Sequence, residues 1–428
     1  METWETETLE NCLSAIIDYR GKTPAKTSSG VPLITAKIVK NGRIETPTEF
    51  IAEKDYDSWM TRGFPKIGDV ILTTEAPLGE VAQITDERIA LAQRIILLRG
   101  RENFLDNSYL KYFLLSQAGQ SQLGSRSSGT TVLGIKQSEL RKVKVTFPKF
   151  SEQQAIAKIL SSLDERIELN RQMNETLEAI TRALFKAWFV DFEPVRANSE
   201  NRPAESASPE IAKLFPSEFE NNIPKGWERK PLIEFFRLIG GGTPKTTNLD
   251  YWNGEILWYS VVDAPNESDV FVIDTEKKIT QLGVEKSSTK LLRKGLTIIS
   301  ARGTVGKLAI TGAEMTMNQS CYAIEGKFGD YFNYYVVKEA IAELKQKTHG
   351  AVFDTITQDT FKSISQILPK EKVIKEFEAK VDSLMKKIEG NLRTSRALSE
   401  IRDSLLPRLI SGKIPVSKIE GEATGEIE

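Results

Sequence analysis

Residues 151–190 read SEQQAIAKILSSLDERIELNRQMNETLEAITRALFKAWFV, and residues 372–411 read KVIKEFEAKVDSLMKKIEGNLRTSRALSEIRDSLLPRLIS. The stretches lie 221 residues apart and share one pattern. The first carries Ile156, Leu160, Leu163, Ile167, Asn170, Asn174, Leu177, Ile180, Leu184 and Trp188. The second carries Phe377, Val381, Leu384, Ile388, Asn391, Ser395, Leu398, Ile401, Leu405 and Leu409. Steps of three and four residues, with one step out of phase at Ile180, put each set on one stripe of an α-helix, the seam of a coiled coil. Each helix is expected to run about 37 residues, or about 55 Å. Ser151 with Gln154 reads as a capping box, and Gly412 and Pro415 as a stop, with Pro407 kinking the last turn.

Two matched seams in one chain can bury each other. The alternative is that each packs on its own globular half or on another subunit. Asn170 and Asn391 are equivalent under the repeat, and both sit at the helix midpoint. In an antiparallel pair with full overlap they would face each other, and a buried Asn pair fixes register.

The repeat extends outward into the flanking sequence. Thr23-Pro24 matches Thr243-Pro244, Gly68 matches Gly295, Gly79 matches Gly306, Gln93 falls near Gln319, and Pro148 matches Pro369. β-Branched runs predict strands over 31–38, 70–74, 81–84 and 89–98, then a helix over 108–121. The second copy gives strands over 256–262, 296–301, 307–310 and 320–324, then a helix over 331–346. The segment around Pro194–Pro209, rich in Ser, Asn and Glu, reads as an exposed, flexible linker.

A hydrophobic fraction of 40% supports real cores, and no apolar run approaches the ~18 residues of a membrane span. The N-terminal ten residues carry four glutamates and no base, unlike a signal peptide. Cys12 and Cys321 are the only cysteines, which suggests a reducing cytoplasm. His349 is the single histidine, so neither a His/Cys metal site nor a His-activated nucleophile is readily assembled, and a loop position beside Gly350 is expected for it. The net charge of −1 conceals a separation. Residues 1–10, 191–220 and 420–428 together hold −12, which leaves a surplus of +11 elsewhere, compatible with phosphate contact.

Catalytic motifs are missing. Gly21-Lys22-Thr23 imitates a phosphate loop, but Ile16 stands where the first glycine belongs; Gly306-Lys307 is followed by Leu308, not a hydroxyl. A DNA amino-methyltransferase needs a Pro-Pro pair, and the chain has none. Gly240-Gly241-Gly242-Thr243-Pro244 reads as a turn with close backbone approach.

Ser151-Glu152-Gln153-Gln154-Ala155-Ile156-Ala157 opening a long helix, and Lys186-Ala187-Trp188-Phe189-Val190-Asp191-Phe192-Glu193-Pro194-Val195 closing it, resemble the central region of type I restriction-modification specificity subunits. Gly241-Gly242-Thr243-Pro244, Tyr251-Trp252-Asn253-Gly254 and Leu257-Trp258 resemble the opening of that family's target recognition domain; Arg302-Gly303, Gly306 and Asn318-Gln319 resemble its middle. The first half departs from the pattern: Tyr19-Arg20-Gly21-Lys22-Thr23-Pro24 replaces the glycine run, and the Tyr-Trp element is absent.

The resemblance implies an α+β chain with two mixed α/β target recognition domains, separated by an antiparallel pair of long coiled-coil helices, in a pseudo-two-fold internal repeat. Its parts would be recognition domain 1 (1–150), spacer helix 1 (151–190), linker (191–221), recognition domain 2 (222–370), spacer helix 2 (371–412) and an acidic tail (413–428). Each domain would read half of a split double-stranded DNA target. The helices would space the domains and dock two methyltransferase subunits, which carry S-adenosylmethionine. Restriction subunits using ATP and Mg could join, while this chain would bind no cofactor or metal and hold no catalytic residue. Two readers on one duplex face need a spacing of about 34–36 Å, which a helical pair can fix and a loose linker cannot.

Base readout needs polar and planar side chains, and phosphate contact needs Lys and Arg. The candidates are Lys22, Thr23, Lys37, Arg94 and Arg126 in the first half. In the second they are Lys245, Thr246, Tyr251, Trp252, Trp258, Arg302, Asn318 and Gln319. The tryptophans suit a hydrophobic core equally well. A coiled-coil adaptor binding only protein is the competing function; salt-sensitive binding of the methylation complex to one bipartite sequence separates the two.

Overall fold

The computed structural model describes residues 4–19, 21, 23–129, 131–348 and 355–416. Lys22, His349 and the acidic tail beyond Val416 lie outside the described residues. The chain divides into two compact units, Met1–Arg166 with Leu398–Glu428, and Ile167–Ala397. Each unit takes in a stretch of both long helices.

Unit 1 is built on a four-stranded antiparallel sheet in the order Leu13–Asp18, Ile95–Gly100, Val70–Thr74, Leu78–Gln83. Its apolar residues alternate between two cores. Val70, Leu72, Val81, Ile96 and Leu98 face one, with Ile156, Leu160, Leu409 and Ile410 from the ends of the long helices. Ile71, Ala82, Ile95 and Leu97 face the other. Burial on both faces explains why these strands read as continuous apolar runs instead of alternating ones. A second layer places Val31–Ile34 between Phe50–Ile51, antiparallel, and Ala90–Leu91, parallel.

Three elements divide more finely than expected. The 31–38 run ends as a strand at Ile34 and becomes a 3-10 turn at Ala36–Ile38. The 89–98 run breaks at Gln93-Arg94, where Arg94 takes the left-handed conformation, φ +74°. The 108–121 helix is two, Asn107–Leu115 and Gln117–Ser125, because Ser116 is extended and its hydroxyl caps Gly119 N.

Unit 2 repeats the plan. A five-stranded sheet runs Phe236–Gly240, Cys321–Gly326, Thr297–Ser300, Leu308–Thr311, Phe271–Val272. Ile299, Ile310 and Ile324 face one core; Ile298, Ala309 and Ala323 face the other. Trp252–Tyr259 lies between Lys277–Ile279, antiparallel, and Met315–Met317, parallel.

The flexible-linker expectation is corrected. Glu193–Ser199 and Pro209–Ala212 are helical, and Pro194, Val195, Ala197 and Phe215 are buried. The Glu193 carboxylate accepts from Arg202, from Glu205 N and from both the N–H and hydroxyl of Ser206. The cause is the aromatic cluster of Phe185, Trp188, Phe189, Phe192 and Trp227, which this segment covers; Trp188 Nε1 donates to Ser206 O at 3.1 Å. Composition hides the segment's few apolar side chains among polar ones.

The long helices run Phe150–Phe189 and Glu371–Ile410, 40 residues each. Ser151 lies inside the first turn, because the helix begins at Phe150. Gln153 does the local work instead, donating to Phe104 O and Pro148 O and accepting from Asp106 N. Gly412, at φ +68°, follows the end of the second helix as expected.

The helices are antiparallel, but the predicted contact between Asn170 and Asn391 is corrected. Asn170 Nδ2 donates to Ser395 Oγ at 3.1 Å, and Asn391 Nδ2 donates to Asn174 Oδ1 at 2.9 Å. The centre of this register falls level with Gln172 and Arg393, between two seam positions and not on one. Each Asn therefore meets the other helix's seam residue one turn away from its own equivalent. All three asparagines are buried.

Candidate nucleic-acid interface

In unit 1 the break after Ala90–Leu91 and the turn at Ala36–Ile38 stand side by side, since Ala92 N donates to Ile34 O at 2.9 Å. They open a cleft of about 250 Å³ whose lining includes Thr23, Lys26, Lys37, Glu49, Gln93 and Arg94. Three expected readers, Thr23, Lys37 and Arg94, are thus brought together and are exposed. Lys26 is paired with Glu49 at 2.8 Å, whereas Lys37 and Arg94 have no side-chain partner among the described residues. Arg126 is outside this lining: it is half-buried, 3.9 Å from Glu139, with Nε buried and unpartnered.

In unit 2 the corresponding loops are locked by glycines. A Cβ on Gly241 would stand 2.0 Å from Asn318 O, and one on Gly242 would stand 2.4 Å from Thr289 N, so only glycine admits this approach. Thr243 and Gln319 hydrogen-bond through their side chains. Asn318 Oδ1 accepts from Ser320 N at 3.0 Å, shaping its own loop. Ala301 N donates to Ser320 O at 2.7 Å, which sets the Arg302 loop beside the Asn318-Gln319 loop. Arg302, Lys245, Thr246 and Gln319 are exposed, and Tyr251 is half-buried.

The tryptophans fall on the structural side of their two readings. Trp258 is buried and gives its indole N–H to Gly242 O at 3.0 Å. Trp252 is half-buried, packs edge-on against Trp258 at 5.1 Å and donates to Lys245 O at 3.3 Å. Together they prop the Gly242–Lys245 backbone, which carries Thr243 and Lys245 and leads into Thr246.

Both thiols are free and buried. Burial pushes Cys12 up to about 11 and Cys321 up to about 12. Among the described residues no three His, Cys, Asp or Glu side chains gather as a metal site would need, and no helix is long and apolar enough to cross a membrane.

A family model described as the type I restriction modification DNA specificity domain matches residues 1–179 and 224–393. The chain belongs to that family. It is similar to the HindI specificity subunit of Haemophilus influenzae, 30% identical over 64% of this chain and 69% of that one. It is also similar to the MjaIX specificity subunit of Methanocaldococcus jannaschii, 27% identical over 91% and 88%. The S subunit of a type I restriction-modification system from M. genitalium shares the fold, with a TM-score of 0.59 at 16% identity over 95% and 96% of the chains. This chain is therefore a DNA sequence-specificity subunit of type I restriction-modification, with one specificity domain in each half.

Gln93, which enters the sequence reading only as a landmark of the repeat, lines the unit 1 cleft. The signal for Gln93 was present in its match to Gln319. The strand expected over 256–262 ends at Tyr259, and Val262 lies in the turn Val261–Asp263, 71% exposed.

Proposed function

We propose that the unit 1 cleft and the unit 2 loop cluster each read one half of a bipartite double-stranded DNA target. On this reading the long helices dock two methyltransferase subunits, which bind S-adenosylmethionine and methylate adenine. Restriction subunits with ATP and Mg join the same complex, in the cytoplasm where the DNA is. This chain supplies sequence reading and none of the bond chemistry. The observation that carries the reading is that the DNA specificity domain occurs twice, each copy presenting its own exposed donors and acceptors on loops held by a rigid sheet. Base edges are read by such groups, while Lys and Arg also meet phosphates.

The test replaces residues 222–370 with the matching segment of a relative of different specificity and maps methylated sites in the host genome. One half of the motif is expected to change while the other persists. A change in both halves overturns the modular reading.

A further inference from the structure

The two reader sites share one backbone frame, visible as matched hydrogen bonds in each unit taken separately. Ala92 N donates to Ile34 O at 2.9 Å, as Asn318 N does to Tyr259 O at 2.9 Å. Thr74 N donates to Arg94 O at 2.8 Å, as Ala301 N does to Ser320 O at 2.7 Å. Ile135 N donates to Thr74 O at 3.0 Å, as Ile356 N does to Ala301 O at 3.0 Å. Glu80 N donates to Thr73 Oγ1 at 2.9 Å, as Lys307 N does to Ser300 Oγ at 2.8 Å. Ile34 stands opposite Leu91 in the parallel pair of unit 1, and Tyr259 opposite Met317 in that of unit 2.

This frame equates positions that sequence identity does not. Lys37, the middle residue of the turn Ala36–Ile38, corresponds to Val262, the middle residue of Val261–Asp263. Glu75, next after Thr74, corresponds to Arg302, next after Ala301. Arg94 corresponds to Ser320 by the shared carbonyl bond. Thr and Gln are common to both sites, at Thr23 and Gln93 and at Thr243 and Gln319. At the three equated pairs the chemistry is changed outright: cation for apolar, anion for cation, cation for hydroxyl. Lys37, Glu75, Arg94 and Arg302 are exposed with no side-chain partner among the described residues. Val262 is 71% exposed, so its side chain is open to a partner.

We propose that residues 37, 75 and 94 in unit 1, and 262, 302 and 320 in unit 2, are the specificity-determining positions of the two half-sites. The proposal rests on the reading that each unit contacts its own half-site. The side chains suit different base edges. Lys37 and Arg94 donate to guanine O6 and N7, and Glu75 accepts from the cytosine amino group. Val262 meets the C5-methyl of thymine, Arg302 donates to guanine, and Ser320 is small enough to serve either. Unit 1 therefore reads G·C pairs at these positions, and unit 2 reads a T·A pair where unit 1 uses Lys37.

The test exchanges chemistry between equated positions in the full chain, assembled with its methyltransferase partners, and maps methylated sites by sequencing. With K37V/E75R/R94S, methylation at the original motif is expected to fall about tenfold or more, and the sites still methylated keep the second half-site while the first changes. With V262K, an exposed single substitution, one base pair of the second half-site changes and the first half-site persists. If the triple variant does not assemble, V262K decides. Undiminished methylation of the original motif by either assembled variant, or a change in the half-site belonging to the other unit, overturns the assignment. An unsubstituted complex that methylates without any two-part preference overturns the functional reading itself, which keeps the two failures distinct.

Discussion

Glu378, half-buried on the second long helix, accepts the backbone N–H of Phe332 at 2.6 Å and lies where a Cβ on Gly329 would strike it, at 2.5 Å. Burial pushes its carboxyl up to about 7, against the lowering effect of the Phe332 and Tyr331 N–H groups; Asp330 and Asp382 add to the rise. The folded protein therefore holds this proton more tightly than the unfolded chain, and its stabilising contribution is lost as pH rises from about 4.5 through 7. Glu378→Gln keeps the acceptor and removes the charge. At pH 8 it is expected to raise stability by on the order of 1–2 kcal/mol, with little change at pH 5, in melting curves of the two proteins. Equal pH slopes for both would refute this. Asp164 has the opposite sign. Burial alone would raise its carboxyl, but Lys111, Arg402 and Tyr112 hold it below the usual carboxylate range. They lie at 2.9, 2.8 and 2.7 Å. This contribution is present above the unfolded value near 3.8 and fades as pH falls below it. Asp164→Asn strands the buried ammonium of Lys111 and should cost about 3 kcal/mol in denaturant unfolding at neutral pH, with Lys111→Met in the same chain recovering part of it. At this scale the sequence was least legible. Lys37 and Arg94 announce themselves as charged residues, but Val262 looks like core and Trp258 like a reader, and only burial separates the two.

At the scale of elements the sequence said much more. Ten apolar or Asn and Ser positions at steps of three and four dictate a helix whatever surrounds it, although Ile180 and Ile401, at the out-of-phase step, are exposed. Both 40-residue helices were legible to within two residues at each end. The strands were legible as apolar runs, yet their interruptions at Gln93-Arg94 and Ala36–Ile38 were not. Those breaks are imposed by the second layer, whose parallel pairing at Ile34 and Leu91 is a contact between distant residues that no local pattern encodes. The register of the helices was likewise underdetermined: symmetry requires a centre but does not say whether a seam residue occupies it. The resulting bond between Asn174 and Asn391 makes a prediction. Asn391→Leu alone leaves the Asn174 amide buried without this partner and should lower stability by about 1–3 kcal/mol. Asn174→Leu added to it removes both polar groups, and the double variant should regain most of the loss. Denaturant unfolding of the two variants measures this; a double variant that is worse than the single one by the full cost of a second site would show that the two residues act independently.

At the scale of the whole molecule, the proposed division is between reading, done by this chain, and reacting, done by its partners. The proposed reader groups Lys37, Arg94, Arg302 and Gln319 are exposed. Cys12 and Cys321 are buried with thiols held in their protonated form, and the Tyr109, Tyr112 and Tyr335 hydroxyls are pushed upward by burial. The sequence adds that the Pro-Pro pair of an amino-methyltransferase and a complete phosphate loop are both missing. On the proposed reading this chain lends affinity and selectivity, and its partners supply the methyl transfer. Purified chain incubated with labelled S-adenosylmethionine and host-type DNA is therefore expected to transfer no label above background, and addition of the methyltransferase subunits should start transfer. The DNA affinity of that assembled complex should fall steeply and linearly in log–log form with salt, by about one unit of slope for each phosphate neutralised, because the +11 surplus outside the acidic segments is available for counterion release. Methyl transfer by the chain alone at rates comparable with the complex would end the view of it as a reader only, and salt-independent binding would end the electrostatic part of the argument while leaving the base contacts to be tested separately.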